Sequence, residues 1–473
     1  MLQPRRSWRV RPIGNTFAYV ALLAWPAVCI GLFVTLEIET AAIWSLLAGY
    51  LLLPSGTQID LPLLPPLDKT SVPAVSTLLL CWMRGGQADK PRQPIFVYLL
   101  ALGYVAAPIF SSLGNSYELQ NPAGSIPGFY PLDGLKFAGR HLVMLAPFYV
   151  GSRFLGTDDG RSLLLKSIPA AALVYSLPML FEVRMSPQLH RWVYGFFPHS
   201  FAQQIRYGGF RPVVFLEHGL QVALFTCLAL IAAVILYRRR TPVLQAPPGL
   251  VAGCLSVMLL LCKSLGSIVY AVIAAPIALF TRPRTWVKIS CVFMVLICAY
   301  PVLRTYGIIP VQKIASIAND ISPDRSKSFE QRVSNEEQLL AKAAQKPWFG
   351  WGAWGRNRLF DKYTGRDISV TDGGWIIEFG TFGWLGYISL FGLLASAAFR
   401  ALRAIGNQVT SASITIGGLS LLLCVNVIDM LPNSNLTPLT LLLAGSIAVT
   451  QRARARRPSP IVKPQPSAAT AAE

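Results

Sequence analysis

The feature that most constrains this chain is a series of apolar stretches about 20 residues long, the length that an α-helix needs to cross a bilayer. Charged residues make up only 14% of the 473-residue sequence. A water-soluble core does not need so many long apolar segments, so the pattern predicts an all-α polytopic membrane protein. The stretches are 17–36, 95–113, 135–155, 162–181, 212–237, 286–303, 374–399, 412–430 and 436–450, with a shorter one at 41–53.

Basic residues are grouped between these stretches and account for the formal net charge of +20. Such grouping is the positive-inside pattern of membrane proteins rather than the continuous basic face of a nucleic-acid-binding protein. No nucleic-acid partner is therefore expected. The clusters are at 5–11, 84–92, 151–166, 238–240, 282–288, 400–403 and 452–457.

The basic clusters also predict how many times the long apolar stretch 250–281 crosses the membrane. Basic residues flank it at 238–240 and 282–288, so both of its ends are expected in the cytoplasm and it must cross twice, turning near Lys263. Residues 71–83 are too short for a span and follow a Pro-rich segment, so they are interpreted as an interfacial helix. The resulting topology has about 12 transmembrane helices and both termini in the cytoplasm.

This topology predicts four parts. Residues 1–303 hold transmembrane helices 1–9 with short loops, and 304–372 form one large, partly helical periplasmic loop. Residues 373–450 hold helices 10–12, and 451–473 form a disordered cytoplasmic tail. The large loop is too long for a simple connector, and Ser328 to Gln345 within it has the apolar spacing of a helix.

The segment from Lys346 to Gly386 is expected to be the functional centre of the chain. It begins as a polar, aromatic- and Arg-rich stretch and passes directly into an apolar helix. Gly380, Gly383 and Gly386 recur every three residues, which leaves one helix face nearly bare and allows a neighbouring backbone to approach closely. Loop and helix are therefore predicted to act as one unit.

Several ionisable residues are predicted inside the spans or at their mouths, where charge is costly and often functional. Arg211 precedes Pro212, the expected start of a helix, and Glu217 and His218 would lie two turns further in. His218 would then share a helix face with Arg211. Lys263 interrupts an apolar run and either reaches a phosphate or extends to the interface.

Two carboxylates begin the span at 374–399. Asp372 is either a helix cap or a catalytic group, and Glu378 is assigned to the substrate site. Arginines in the outer loops suit phosphate, because a guanidinium donates two parallel hydrogen bonds. The tryptophans nearby either stack on sugar rings or form an interfacial aromatic belt. These loop candidates are Arg206, Arg332, Arg356, Trp348, Trp351 and Trp354.

Metal and cofactor sites are not predicted. The four histidines show no ligand spacing, and the sequence has neither a phosphate-binding glycine loop nor a nucleophile-elbow serine. Most of the eight cysteines lie in or beside apolar stretches, so a disulfide framework is not indicated either.

Four motifs occur in the second half of the chain. They are FRPVVFLEHG, LCKSLGS, RVSNEEQLLAKAAQKPWFGWGAWGRN and TDGGWIIEFGTFGWLGYI. As a set they resemble the O-antigen ligase and O-antigen polymerase family, which comprises bacterial inner-membrane enzymes acting on undecaprenyl-pyrophosphate-linked glycans. The resemblance covers roughly residues 200–395.

The resemblance implies roles for individual residues. Arg211 would take the place of the family arginine that holds pyrophosphate, with His218 in the motif that follows. Lys263 stands where the family usually has arginine, and Arg332 precedes the P-x-x-G-x-G pattern. The family commonly has histidine where this chain has Asp372, so the general base is Asp372, His218 or Glu217.

The function implied is polymerisation of lipid-linked oligosaccharide units at the periplasmic face of the bacterial inner membrane. The reaction would be an inverting, metal-independent glycosyl transfer from an undecaprenyl-pyrophosphate-linked donor to a glycan or lipid acceptor. Membrane lipids would be further partners. One alternative is an O-antigen ligase, which transfers the glycan to the lipid A core. Another is a transporter of polysaccharide or lipid-linked sugar, for which many spans and buried charges are equally natural.

Overall fold

The structure is a computed structural model that describes residues 14–62, 64–85, 93–206, 208–309, 323–369 and 371–449. The side chains of 323–332 lie outside that description, as do the predicted tail at 451–473 and the basic cluster at 5–11.

The described chain is mostly helical. Its first eight helices are α1 (Thr16–Thr35), α2 (Ile38–Leu52), α3 (Ser71–Arg84), α4 (Ile95–Leu113), α5 (Pro131–Met144), α6 (Ala146–Phe154), α7 (Asp158–Met185) and α8 (Leu189–Tyr194). The others are α9 (Gly219–Arg238), α10 (Pro248–Leu261), α11 (Leu265–Phe280), α12 (Pro283–Thr305), α13 (Pro323–Ala343), α14 (Gly374–Ala404), α15 (Ser411–Asp429) and α16 (Pro438–Ile447).

Three short antiparallel hairpins interrupt the helices of the described chain. They are β1 (Gln58–Ile59) with β2 (Leu67–Asp68), β3 (Leu119–Asn121) with β4 (Gly124–Ile126), and β5 (Ile205–Arg206) with β6 (Gly209–Phe210). A 3₁₀ turn, Phe201–Gln204, leads into β5.

Within the described residues, seven helices are long and apolar enough to cross a membrane. The chain is therefore a helical membrane protein of the multi-pass class, as the apolar stretches predict. These helices are α1, α4, α7, α9, α12, α14 and α15.

The loops between helices fall at two ends of the bundle. At one, which we call the loop end, Lys346 donates to the carbonyl of Gly114, Ser55 to that of Phe215, and the amide of Gly374 to that of Met430. At the opposite end, Arg239 binds the hydroxyls of Ser162 and Thr415, and Arg161 binds the carbonyl of Ser446. All three hairpins belong to loops of the loop end.

The helix α3 runs from one end to the other, so the interfacial interpretation of 71–83 is wrong. Pro73 packs on Gly49 of α2, and Arg84, at the far end of α3, donates to the carbonyl of Leu36 between α1 and α2. Its buried residues pack against α1, α2 and α6. A helix of 14 residues is about 21 Å long, enough to traverse most of an apolar layer.

This extra passage changes the predicted topology. Asn15, which caps α1, donates to the carbonyl of Val193 at the loop end, whereas α16 finishes beside Arg161 at the opposite end. The first and last described residues therefore lie at opposite ends. The expected arrangement of 12 passages with both termini on one side does not fit this path.

The turn expected in the apolar stretch 250–281 is confirmed. The helix α10 ends at Leu261 and α11 begins at Leu265, and Lys263 takes a positive φ of 51° between them. The predicted loop helix is confirmed as α13. The predicted span 135–155 is instead two helices, α5 and α6, which meet at Leu145.

The glycine-spaced helix α14 is broken at Gly383, whose backbone angles are φ 63° and ψ −159°. The break leaves amides and carbonyls of α14 unpaired, and the segment 347–352 of the preceding loop pairs with them. Trp351 and Gly352 donate to the carbonyls of Gly380 and Thr381 at 3.0 and 2.9 Å. Trp384 and Leu385 donate back to Pro347 and Trp348 at 2.7 and 3.1 Å.

Close approach of a second backbone, which the glycine spacing predicts, is confirmed at Gly383. A Cβ atom placed there would lie 2.5 Å from the carbonyl oxygen of Pro347. Gly350, on the other side of the contact, has positive φ, and a Cβ there would lie 2.4 Å from the Thr381 backbone. Non-helical backbone is tolerated inside an apolar helix because protein groups complete its hydrogen bonds.

Substitution Gly383→Ala is expected to destabilise the fold by about 1–3 kcal/mol from the backbone angles alone, since only glycine adopts them readily. The clash with Pro347 adds to this cost. Thermal unfolding of the purified protein in detergent measures the effect. Gly253→Ala is the matched control, because nothing lies within 4 Å of a Cβ at that helical glycine. Equal melting temperatures for the two variants would contradict the break at Gly383.

Candidate functional site at the loop end

A group of three cations lies where the α10–α11 turn meets the loop before α9. The guanidinium of Arg211 donates through Nη2 to the carbonyl of Lys263 at 2.9 Å and through Nε to that of Cys262 at 3.2 Å. The Lys263 ammonium donates to the carbonyl of Arg206 at 3.0 Å. The structure thus brings together three predicted binding residues that are up to 57 positions apart. We call them the cationic cluster.

Arg211 is the buried member of the cluster. Its side chain packs against Gly219, where a Cβ would lie 2.2 Å from Arg211 Cδ, so only glycine leaves it room. Burial and the neighbouring Arg206 charge lower the pKa of Arg211 to about 10. The guanidinium is still protonated at neutral pH. Among the described residues, its Nη1 has no hydrogen-bond partner.

The segment 211–218 is an irregular turn rather than a helix, with Val214 at a positive φ of 53°, and a buried glutamate holds it. Glu182, at the end of α7, accepts hydrogen bonds from the amides of Val213 at 2.7 Å, Val214 at 2.8 Å and Leu189 at 3.0 Å. The Tyr175 hydroxyl accepts from the amide of Phe215 at 3.1 Å. These side chains replace the hydrogen bonds of a helix, so Arg211 is fixed without one.

The predicted helical spacing of Arg211 and His218 is therefore wrong. The helix α9 begins at Gly219, and His218 is its N-cap, with Nδ1 accepting from the amide of Leu220 at 3.0 Å. The other ring nitrogen, Nε2, lies 3.2 Å from the side-chain oxygen Oε1 of Gln203. Pro212 does not begin a helix because Glu182 takes the amides that follow it.

Glu217 is exposed at the tip of this segment, and its charge acts on Lys69. The Lys69 ammonium donates to the Ser55 hydroxyl at 2.8 Å and to the carbonyl of Phe215 at 3.0 Å. Burial lowers the pKa of Lys69 to about 7, against the opposing effect of Glu217 and Asp68. A lysine that exchanges protons near neutrality thus lies beside the loop that carries Arg211.

A second polar group surrounds Asp429 at the end of α15. Its carboxylate accepts from the side-chain amides of Asn435 at 2.6 Å and Asn433 at 2.9 Å, and it bonds to Tyr270 of α11. In the loop that follows α15, the carbonyls of Met430 and Asn433 also accept hydrogen bonds from the amide of Gly374. The loop therefore connects the start of α14 to the Asp429 group and, through Tyr270, to α11.

Asp372 lies beside this loop, next to Gly373, which caps α14 without a side-chain bond. Asp372 is therefore not the N-cap. Glu378, one turn into α14, has its Oε1 buried with no hydrogen-bond partner in the described part of the chain.

The side chain of Arg356 is buried and connects loops within the protein. It is fully buried and donates to the carbonyls of Trp351 at 3.0 Å, Tyr117 at 2.8 Å and Pro127 at 2.9 Å. These bonds tie the loop around β3 and β4 to the large loop. A guanidinium engaged in this way is not available to a phosphate, so its assignment to substrate binding is not supported.

The tryptophans differ in what they present. Trp351 donates to the carbonyl of Lys342 at 2.8 Å, and the ammonium groups of Lys342 and Lys346 lie 5.3 and 4.9 Å from its ring centre. Trp354 is 38% exposed and meets Phe137 edge-on, whereas Trp348 is 69% exposed. The side chain of Arg332 lies outside the described residues.

The described residues contain no group of three His, Cys, Asp or Glu side chains placed to hold a metal ion. No protein-family model, curated protein or solved structure matches the chain.

Sequence reasoning missed Glu182, Lys69 and Asp429. Each lies at the boundary of an apolar stretch, where a charge is also consistent with simple solvation. The usable signal for Asp429 was the asparagine pair that follows it in Asp-Met-Leu-Pro-Asn-Ser-Asn. For Glu182 and Lys69 the partners are backbone groups of the distant 211–218 segment, which no local pattern reveals.

Substitution Glu182→Gln is expected to destabilise the protein by about 1–3 kcal/mol, because the amide NH₂ would face backbone donors and leave at least one unpaired. Thermal unfolding in detergent measures the change, and proteolysis within 211–218 measures local opening. Glu118→Gln, at an exposed position of the same end, is the control. Unchanged stability and unchanged proteolysis in Glu182→Gln would show that the segment does not depend on this carboxylate.

The pKa of Lys69 makes a prediction about pH. The pKa of Lys69 is about 7 in the folded protein and has the ordinary value of 10.5 in the unfolded chain. Between these two pH values the unfolded state therefore binds more protons than the folded state. Stability gained from this residue therefore rises from about pH 7 to about pH 10, and Lys69→Met should remove that rise. Melting temperatures across this range measure it, with the exposed Lys362→Met as control. Parallel pH curves for wild type and Lys69→Met would contradict the low pKa.

Proposed function

We propose that the protein transfers a glycan from an undecaprenyl-pyrophosphate donor to a growing glycan, as an inverting and metal-independent polymerase. The cationic cluster is the observation that carries this proposal. Arg211 is held by its Nε and Nη2 atoms, which leaves Nη1 for a ligand. Of the two neighbouring cations, Arg206 comes from the same loop before α9 and Lys263 from the α10–α11 turn. Fixed cations of this kind suit a diphosphate leaving group, whose negative charge increases as the glycosidic bond breaks.

The remaining step is removal of a proton from the acceptor hydroxyl. Three groups around the cluster have the chemistry for it: His218, Glu217 and Lys69. His218 has one nitrogen committed to the α9 cap, and its Nε2 lies beside Gln203. Lys69 is the group whose pKa, at about 7, matches a base that works at neutral pH.

We place the loop end in the periplasm and the opposite end in the cytoplasm of a bacterial inner membrane. The support is the distribution of basic residues. Arginines bind helix ends throughout the opposite end, as the positive-inside rule requires of a cytoplasmic face. They are Arg84, Arg161, Arg238, Arg239, Arg284 and Arg400. The donor lipid would then reach the cationic cluster from the outer leaflet.

Loss of the Arg211 guanidinium is expected to reduce glycosyl transfer by about 10²–10³-fold, the effect of removing one fixed donor from a developing anion. Arg211→Lys should recover only part of the rate, because an ammonium cannot replace both carbonyl contacts and still meet a phosphate. Purified protein in liposomes with a lipid-linked donor provides the assay.

The control is Arg184→Ala, which removes an exposed arginine from the same end. Thermal unfolding of each variant separates lost activity from lost folding. A folded Arg211→Ala protein with a transfer rate like that of Arg184→Ala would exclude the proposed mechanism.

A further inference from the structure

A groove of about 710 Å³ lies at the loop end, away from the residues of the cationic cluster. One wall is the β3–β4 hairpin, the second is the last turns of α13, and the third is the turn at 359–362. We call it the outer groove. Its volume is in the range of pockets that bind small organic ligands.

The walls combine amide side chains with apolar surface. Gln120 and Asn121 lie on the hairpin, and Gln338 and Gln345 face them from α13 and the residues just after it. Leu119, Ile126, Leu359, Trp351 and Phe360 supply the apolar part. An amide both donates and accepts hydrogen bonds, which matches a hydroxyl group that also does both. Apolar and aromatic side chains pack against the C–H faces of a sugar ring.

The charged side chains of the groove are mostly engaged within the protein. Lys342 donates to the carbonyl of Arg358. Asp361 accepts from the amide and the hydroxyl of Thr364 at 2.6 and 2.8 Å. The groove therefore offers little uncommitted charge for an anion, apart from Lys362 at its rim.

By contrast, polar side chains on facing walls are uncommitted. Among the described residues, neither Gln120 nor Gln345 has a side-chain hydrogen bond, and both are exposed. They come from segments more than 200 residues apart, and Arg356 fixes one wall to the other through the carbonyls of Tyr117 and Pro127. The groove is thus a built feature rather than a gap between mobile loops.

We propose that the outer groove binds a segment of the polyhydroxylated glycan chain at a distance from the bond being formed. This inference rests on the proposed glycosyl transfer and assigns it a second subsite. Holding the chain there raises the local concentration of the acceptor end, so the enzyme extends one chain repeatedly instead of starting new ones. The groove then controls the length of the product.

Ala341→Trp tests the proposal by filling the groove, because Ala341 lines it and is exposed. Ala344→Trp places the same indole at an exposed position nearby that does not line the groove. The full chain in liposomes receives lipid-linked donor, and products are separated by length on gels. A parallel reaction measures the first transfer onto a single-unit acceptor.

The expected result is a loss of long products in Ala341→Trp, with the first transfer unchanged and with Ala344→Trp like wild type. The double variant Gln120→Ala, Gln345→Ala should shift products in the same direction without adding bulk. Wild-type product lengths in both groove variants would overturn the subsite while leaving the transferase intact. Loss of the first transfer in Ala341→Trp would also overturn it, because a remote subsite does not affect that step. Absence of any transfer by the wild type would instead refute the proposed function.

Discussion

The structure depends on one carboxylate that replaces a turn of helix. Glu182 accepts hydrogen bonds from three backbone amides and holds 211–218 in an irregular, non-helical turn where a helix was predicted. Because of this, Arg211 turns inward and reaches the carbonyls that end α10. The positive φ of Lys263 then directs its ammonium toward Arg206. The cationic cluster is a consequence of these backbone contacts and not of a charge pattern along a helix.

Irregular backbone is stabilised by hydrogen bonds from distant protein groups at α14 as well. There the break at Gly383 exposes backbone groups, and the loop segment 347–352 satisfies them with four hydrogen bonds. Both sites place irregular backbone inside a helical bundle and complete its hydrogen bonds with protein groups rather than water. This links the large loop rigidly to the bundle, so the outer groove and the cationic cluster belong to one framework.

Much of the helical framework followed from the sequence, since long apolar stretches have few alternatives in a membrane. The α10–α11 turn and the glycine contact at Gly383 were predicted from charge flanks and residue spacing. Three features were not. The helix at α3 was predicted, but not its path from one end of the bundle to the other, because its length falls below the expected span. The irregular turn at 211–218 was not predicted because its partner Glu182 is distant. The enclosure of Arg356 by backbone carbonyls was not predicted, because an arginine in a polar loop gives no sign of it.

The central claim is that the cationic cluster recognises a diphosphate. Binding of undecaprenyl pyrophosphate and of undecaprenol to the purified protein in nanodiscs, at low and high salt, tests it most directly. The account predicts tighter binding of the pyrophosphate lipid, a preference that salt reduces and that Lys263→Gln weakens. Equal affinity for the two lipids, independent of salt, would contradict it.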